Sequence, residues 1–320
     1  MLLVVLLMGT MVLAGYGAGK SVREQIGEAP PADRVPVLCY HYLRGSGGPL
    51  RVLKVLAYVV LSLPVLDDAD VWTVTEDQFD KQMRWLYEHG YETVSLKDVA
   101  RWREGMGELP PKPIVITFDD GDRSVLDHAW PVLDRYGFTA TFFVVTGKVG
   151  ETWSGVENLN WAELRQMHDS GTFDIQSHTH DLHYKVSVGR GHAPVFLAGA
   201  GGEHDFEDYR SWEDALLDDL GTSRAVIRRH IGVAPKYLAW PYGHGGEDVD
   251  RIALEAGFEG VVTMQGEINR RIDDASAENL PAWERLEIDR FPVSARTTLP
   301  RFRRVVRGEN SDGEKPEPVS

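Results

Sequence analysis

Three histidines and one aspartate lie within residues 177–184, SHTHDLHY. Imidazole nitrogen is a common ligand of zinc and of other first-row divalent metals. His178 and His180 share a face only if an extended strand continues through them, whereas His178 and His183 would meet only in a looped backbone. A lone histidine is more often structural, but three at this spacing indicate a metal site and leave the choice of ligand pair open.

Two adjacent carboxylates form a second group that could do chemistry. Asp119 and Asp120 follow the apolar run PIVITF and precede Gly121, so they lie where a strand gives way to a turn. Neighbouring carboxylates repel each other unless a cation or a proton lies between them. One of them could bind a divalent metal while the other acts as a general base. The alternative is a plain turn with a helix-capping aspartate, for which Asp122 is the better candidate.

Short apolar runs that alternate with amphipathic stretches must position these residues. The predicted buried strands are residues 113–118, 140–145, 173–177, 237–241 and 260–264. The predicted helices are residues 76–90, 124–137, 160–171, 214–232 and 247–257. This alternation predicts the α/β class with parallel β/α units, as a barrel or as an open sheet. In such folds, chemistry is placed at the carboxyl ends of the strands.

Composition limits the class of partner. The 320 residues are enough for one large domain or two small ones. The 49 acidic and 34 basic residues give a formal charge of −15, which disfavours nucleic acid and other polyanions as partners. The single cysteine, Cys39, excludes an intrachain disulfide framework.

Several segments outside the β/α pattern provide information on the cellular location of the protein. Residues 1–15 form a short apolar run that resembles the hydrophobic part of an export signal, although basic residues do not precede it. We predict export to the bacterial cell surface or beyond, with this segment either cleaved or kept as a membrane anchor. Residues 16–34 are predicted to be a linker and residues 306–320 a disordered tail. The apolar residues 51–66 are either a core helix or an exposed loop that touches a membrane or polymer surface.

The motifs TFDDG, SHTHDLH and WPYG, in this order, resemble those of the polysaccharide deacetylases, the NodB-homology fold of carbohydrate esterase family 4. The resemblance covers about residues 35–300, and residues 35–305 are predicted to form one domain. It implies a distorted (β/α) barrel with a metal-dependent N-deacetylase site. By position, Asp119 resembles the general base of the family, Asp120 its metal-binding aspartate and His178 its first histidine ligand.

The second histidine ligand distinguishes branches of this family. The commonest spacing would place it at Leu182, but His183 is one residue further on, as in the branch of the biofilm poly-β-1,6-N-acetylglucosamine deacetylases. That branch also has a strand like PVLCYHYL, in which the residue matching His41 replaces a C-terminal catalytic-acid histidine. The resemblance thus implies Asp120, His178 and His183 as ligands and His41 as the acid. His180 would face solvent or lie behind the ligands.

The segment LAWPYG departs from the pattern of many members, which have an arginine here that orients the base. An arginine contact to Asp119 must come from elsewhere, and Arg290 is a candidate. The backbone N–H of Tyr242 matches the oxyanion donor of the family. The aromatic residues near these loops could stack on sugar faces, although the core is favoured for Trp161; they are Trp153, Trp161, Trp240 and Tyr242.

The activity implied is the hydrolysis of N-acetyl groups from an N-acetylglucosamine polysaccharide, such as the β-1,6-linked polymer, with release of acetate. Zinc is the expected metal, with cobalt, nickel or manganese as alternatives. An alternative substrate is the β-1,4-linked glycan of peptidoglycan or chitin. A protein of another class, a polysaccharide-binding module without catalysis, is disfavoured because binding a sugar requires neither a metal nor a base.

Overall fold

The computed structural model describes residues 32–45, 71–153, 155–200, 211–272 and 280–309. The predictions for residues 1–15 and 51–66 lie outside these ranges, as do those for most of the linker and most of the tail. Among the described helices, none combines the length and the apolar character needed to cross a membrane.

The described chain alternates strands and helices, as predicted. The strands are β1 (Val37–Tyr40), β2 (Tyr42–Arg44), β3 (Thr73–Thr75), β4 (Glu92–Thr93), β5 (Pro113–Phe118), β6 (Ala140–Val144), β7 (Thr152–Trp153), β8 (Val156–Glu157), β9 (Phe173–Ser177), β10 (Lys185–Val188), β11 (Gly191–Pro194), β12 (Tyr237–Ala239), β13 (Gly260–Val262), β14 (Glu287–Ile288) and β15 (Phe291–Pro292). The helices are α1 (Glu76–Glu88), α2 (Leu96–Arg103), α3 (Trp130–Tyr136), α4 (Trp161–Asp169), α5 (Val195–Ala200), α6 (Trp212–Ile231), α7 (Glu247–Glu255), α8 (Ala282–Arg285) and α9 (Leu299–Arg307).

Local sequence explains where several helices begin. Helices α1, α2 and α4 each start with a capping box, in which the N-cap and N3 side chains accept each other's backbone N–H groups. The capping pairs are Thr75–Gln78, Ser95–Asp98 and Asn160–Glu163. Helix α6 ends at Gly232, whose φ of 98° lies in the left-handed region that glycine adopts without a steric penalty.

The central sheet has the strand order β14-β13-β12-β9-β6-β5-β1-β15, with β4 beside β5. Its neighbouring strands pair in parallel, so the carboxyl ends of these strands lie at one edge. Strand β5 is buried along its whole length and β9 nearly so. Such strands are buried on both faces because the barrel interior lies on one side and helices lie on the other.

The two ends of this strand order belong to one short segment. Strand β14 pairs with β13 and β15 pairs with β1, yet only Asp289 and Arg290 separate them. Three backbone steps span about 11 Å at most. The sheet must therefore curl until its two edges nearly meet, which produces the predicted distorted barrel. We call residues 287–292 the seam segment.

The predicted element boundaries hold in the centre of the sheet and shift elsewhere. Residues 113–118 and 173–177 form strands as predicted, whereas β12 ends at Ala239. Pro241 cannot donate to a ladder, and Tyr242 has a φ of 61°, so the strand cannot continue through them. The predicted helix at 124–137 begins with a π-helical turn at Val125–Ala129 before α3.

The last described helix crosses the predicted boundary between domain and tail. Helix α9 continues to Arg307, past the predicted domain end at residue 305, and it stops at Gly308 with a φ of 67°. Val306 is buried because this helix packs its apolar side against the main core. Only the part of the predicted tail from residue 310 onward lies outside the described ranges.

Candidate active site

The predicted site residues follow the carboxyl ends of neighbouring strands. His41 follows β1, Asp119 follows β5, His178 follows β9 and Tyr242 lies in the turn after β12. Because these strands are parallel, their carboxyl ends meet at one edge of the barrel. Residues far apart in sequence are thus brought to one place.

Asp120, His178 and His183 form a compact group whose ligand atoms all lie within 4.8 Å of one another. Oδ1 of Asp120 is 3.6 Å from Nε2 of His178 and 3.3 Å from Nε2 of His183. This Oδ1 is buried and accepts no hydrogen bond. A buried acceptor without a partner is costly, and a cation between it and the two imidazoles would remove that cost.

The protonation state of His178 is the one that a metal ligand requires. Its Nδ1 is 2.7 Å from the carbonyl oxygen of Ala239, which can only accept, so Nδ1 carries the proton. Burial lowers the pKa of His178 to about 4, which keeps the imidazole neutral. Nε2 therefore presents a lone pair toward Asp120. This is the arrangement in which metal-binding histidines are held by a partner behind them. The donor set thus fits a divalent metal.

The backbone turns sharply between the two carboxylates. Asp120 has a φ of 75° and Thr179 a φ of 71°, in the left-handed region that few non-glycine residues adopt. Such strain persists only where the surroundings enforce it. The turn separates the side chains, so that Asp120 faces the histidines while Asp119 contacts an arginine.

Asp119 is held by the buried Arg290, which lies in the seam segment. The two guanidinium nitrogens donate to the two carboxylate oxygens at 2.7 and 2.8 Å. Arg290 also donates to the Thr117 hydroxyl and the Thr263 carbonyl oxygen. Burial alone would raise the pKa of Asp119, but Arg290 and nearby histidines outweigh it and lower that pKa. The arginine contact to Asp119, which the LAWPYG segment lacks, is thus supplied by Arg290.

His41 lies close to Asp119, and Cys39 contacts both residues. Sγ of Cys39 is 3.5 Å from Oδ2 of Asp119 and 3.9 Å from Nδ1 of His41. The His41 ring is 4.8 Å from the ring of Trp72, measured between centroids. Burial lowers the pKa of His41, which makes its protonated form a stronger acid.

Sequence reasoning missed Tyr42, whose hydroxyl donates to Oδ2 of Asp120 at 2.7 Å. Burial and the neighbouring carboxylate raise the pKa of Tyr42, so it keeps the proton that it donates. Its place beside His41 in PVLCYHYL was the available signal.

Asp122, the predicted cap, does accept the N–H of Ser124 at 2.7 Å and also forms a bidentate ion pair with Arg44.

Two aromatic rings border the histidines, as predicted. The ring of Trp153 is 5.0 Å from that of His183 and nearly perpendicular to it, and the ring of Tyr242 is 4.7 Å away. Nζ of Lys185, from the unpredicted hairpin of β10 and β11, lies 4.6 Å from the Tyr242 ring centroid. A sugar entering this site would meet apolar faces beside polar groups.

The other residues proposed for the site contact the protein core or lie outside the metal-ligand group. The hypothesis that Trp240 stacks on a sugar is wrong, since Trp240 is fully buried, stacks on Phe196 and donates to Asp250. Trp161 packs against the main core, as favoured. His180 lies outside the ligand group, and its Nδ1 is 2.9 Å from the Thr146 hydroxyl.

The fold and this edge of the barrel define a class of protein. Residues 106–261 match the family model described as polysaccharide deacetylase. Over this range the chain is similar to the polysaccharide deacetylases, the family that its motifs resemble. The matched range contains Asp119 and the three residues of the candidate metal group, whereas His41 and Arg290 lie outside it.

Particular relatives narrow the comparison. The poly-β-1,6-N-acetyl-D-glucosamine N-deacetylase of Staphylococcus aureus (strain MSSA476) is 26% identical over 189 residues, 59% of this chain and 60% of that protein. The chain thus spans about three fifths of the length of this curated relative. The structure of IcaB from Ammonifex degensii is 28% identical with a TM-score of 0.65, covering 87% of this chain and 97% of that one.

A third structure supports the fold alone. The de-N-acetylase from Aggregatibacter actinomycetemcomitans is 22% identical with a TM-score of 0.68, covering 85% of this chain and 100% of that one.

Proposed function

We propose that this protein hydrolyses the N-acetyl groups of an N-acetylglucosamine polysaccharide, the β-1,6-linked polymer, and releases acetate. The observation that carries the proposal is a charged Asp119, locked by Arg290, beside a metal-ligand group with an unpaired buried oxygen. A module that only binds sugar has no need of a base held in this way. The activity for which the S. aureus relative is named supports the β-1,6 linkage.

The donor atoms for the metal are Oδ1 of Asp120 and the Nε2 atoms of His178 and His183. Three protein ligands of this kind suit Zn²⁺ in a catalytic site, and Co²⁺, Ni²⁺ or Mn²⁺ are alternatives. When bound, the metal supplies Lewis acidity that activates water and polarises the acetamide carbonyl.

Asp119 acts as the general base that takes the proton of the attacking water. Arg290 occupies one lone pair of each carboxylate oxygen and fixes the plane of the group. Oδ2 also accepts from Sγ of Cys39, so Oδ1 is the oxygen that keeps a second lone pair for the proton. Its lowered pKa keeps Asp119 ionised at neutral pH and ready to accept. A base held in one orientation loses little entropy when the reaction begins.

His41 acts as the general acid, and the Tyr242 backbone as an oxyanion donor. An amine leaves only after it is protonated. Because burial lowers the pKa of His41, its imidazole gives up a proton readily once it has received one. Tyr242 lies in the turn after β12, and its backbone N–H is the group that the resemblance assigns to the developing oxygen anion.

The proposal also covers how the polysaccharide is bound and where the enzyme acts. The rings of Trp153 and Tyr242 would contact the sugar, and the −15 charge suits a polymer that becomes cationic as it is deacetylated. Such a substrate is extracellular, in line with the export predicted from residues 1–15. Residues 51–66 remain the candidate for membrane-surface contact.

The test is acetate release from β-1,6 and β-1,4 N-acetylglucosamine oligomers of equal length, with chelator and with added Zn²⁺. We expect metal-dependent release from the β-1,6 series. Asp119→Asn should abolish release while metal content is retained, because it removes the base and no ligand. Release from the β-1,4 series alone would move the substrate to peptidoglycan or chitin. Metal binding without release from either series would favour the binding module.

A further inference from the structure

The two oxygens of Asp120 have different surroundings. Oδ2 accepts the hydroxyl proton of Tyr42 at 2.7 Å. Oδ1 accepts no hydrogen bond and lies near Nε2 of His178 and of His183. One oxygen is therefore already used by the protein, and the other is left open toward the imidazoles.

Strand β2, which carries Tyr42, is fixed to the loop after β5 by each of its residues. Tyr42 bonds to Asp120, the Leu43 N–H donates to the Ser124 hydroxyl at 2.9 Å, and Arg44 pairs with Asp122. Its other edge pairs with β3. Strand β2 is thus held in place by contacts of Leu43 and Arg44 that do not involve the metal ligands.

We propose that Tyr42 is a positioning residue that restricts Asp120 to a single metal-binding oxygen. The inference rests on the proposed function, because it takes Asp120, His178 and His183 as the ligands. A carboxylate can bind a metal through one oxygen or through both. With Oδ2 held by Tyr42, the protein supplies three donor atoms, and the remaining positions are open to water and the acetamide oxygen.

A merely structural role for Tyr42 predicts a different result. If the hydroxyl only fixed β2, its loss would reduce stability and leave metal binding unchanged. If it holds Oδ2, its loss should weaken metal binding by about 10–100-fold, the usual effect of removing a group that orients a ligand. It should also allow Oδ2 to join the coordination sphere.

The experiment compares Tyr42→Phe with the unaltered protein, first without substrate. Zn²⁺ affinity is measured by competition with a chromogenic chelator, and Co²⁺ coordination by visible absorption. We expect affinity to fall about 10–100-fold and Co²⁺ absorption to weaken, because Co²⁺ of higher coordination number absorbs less. Unchanged affinity together with an unchanged spectrum would overturn the inference.

Two further variants separate hydroxyl loss from loss of packing. Tyr184→Phe removes an exposed tyrosine hydroxyl near the same loops and should change neither readout. Tyr42→Met removes the hydroxyl and the ring together, and it should weaken Zn²⁺ as Tyr42→Phe does if the hydroxyl is responsible. Zn²⁺ affinity equal to that of the unaltered protein in a folded Tyr42→Met would count against the proposal.

The two proposals fail in different ways. An unaltered protein that binds no divalent metal overturns the ligand set and this inference with it. An unaltered protein that binds metal and releases acetate, with a Tyr42→Phe variant that is identical in both metal readouts, overturns the inference alone.

Discussion

At the scale of single residues, the adjacent carboxylates of Asp119 and Asp120 differ in function because they contact different partners. Asp119 is paired with Arg290, whereas Asp120 faces His178 and His183. The left-handed backbone at Asp120 makes this divergence possible. Repulsion between the two charges, which makes the sequence motif costly, is offset at Asp119 by the guanidinium of Arg290 and would be offset at Asp120 by a bound metal ion.

The histidine segment offers a matched pair of variants. His183→Ala removes one of the three proposed ligands and should lower Zn²⁺ content to near zero, because two ligands hold the metal weakly. His180→Ala removes a histidine of the same segment that lies outside the group and should leave Zn²⁺ content unchanged. Metal analysis after dialysis measures both. Full Zn²⁺ content in His183→Ala would falsify the ligand assignment.

The ion pair of Arg290 and Asp119 predicts separate effects on stability and rate. Arg290→Met leaves a buried carboxylate without a partner and should cost about 3–5 kcal/mol of unfolding free energy. Arg290→Lys keeps the charge but loses the two-pronged contact, so it should stay folded, keep its metal and turn over more slowly. Urea unfolding, metal content and kcat distinguish these outcomes. A fully active Arg290→Lys would show that orientation by Arg290 is unimportant.

At the scale of elements, the turn after β12 is shaped by close packing. Gly243 has a φ of 73°, and a Cβ added at this position would overlap Cβ of Met264. Strand β12 and this turn hold Tyr242 beside His183. The turn must therefore keep glycine at this position for two reasons, its backbone conformation and the lack of space.

Two glycine variants separate the cost of the backbone conformation from the cost of the steric overlap. Gly137 has a φ of 69°, and no atom lies within 4 Å of the point that an added Cβ would occupy, so Gly137→Ala carries only the conformational cost. Gly243→Ala adds the overlap with Met264 and should lose about 1–3 kcal/mol more unfolding free energy. Denaturant unfolding of the two variants tests this. Equal losses would mean that the turn can move away from Met264.

Sequence patterns predicted the features of the fold and the site that depend on residues close together in the chain. The strands at 113–118 and 173–177, and the motifs at their ends, were recognisable because each depends on neighbouring residues. The end of β12 was misplaced because Trp240 reads as a strand residue, although its burial against Phe196 and the turn that follows are tertiary effects. The contact of Arg290 with Asp119 was only a candidate, since nothing near Arg290 marks its distant partner.

At the scale of the whole molecule, buried carboxylates couple stability to pH. Asp219, Asp250 and Asp289 are each largely buried, and burial raises the pKa of each to about 6. Each accepts hydrogen bonds from backbone N–H groups, which offset part of the burial cost. A carboxyl group whose pKa is raised on folding binds its proton more tightly in the folded state. Its contribution to stability is therefore lost as the pH rises through about 6.

Asp250→Asn isolates this effect for one group. Asparagine cannot ionise, so the unaltered protein should gain about 1 kcal/mol of unfolding free energy relative to the variant between about pH 8 and about pH 5. Asp248→Asn removes an exposed carboxylate from the same helix and serves as the control. Urea unfolding at both pH values gives the difference. A constant difference between the unaltered protein and Asp250→Asn would contradict the raised pKa.

The seam segment has a consequence for the order in which the molecule assembles. The contact of Arg290 with Asp119 joins residues 171 positions apart, and contacts that close such long loops tend to form late in folding. The proposed ligands span only residues 120–183 and can meet before β15 docks. A folding chain should therefore be able to bind a metal at the proposed ligands while Asp119, the proposed base, is still unoriented. Hydrolysis would begin only when the last strand closes the barrel.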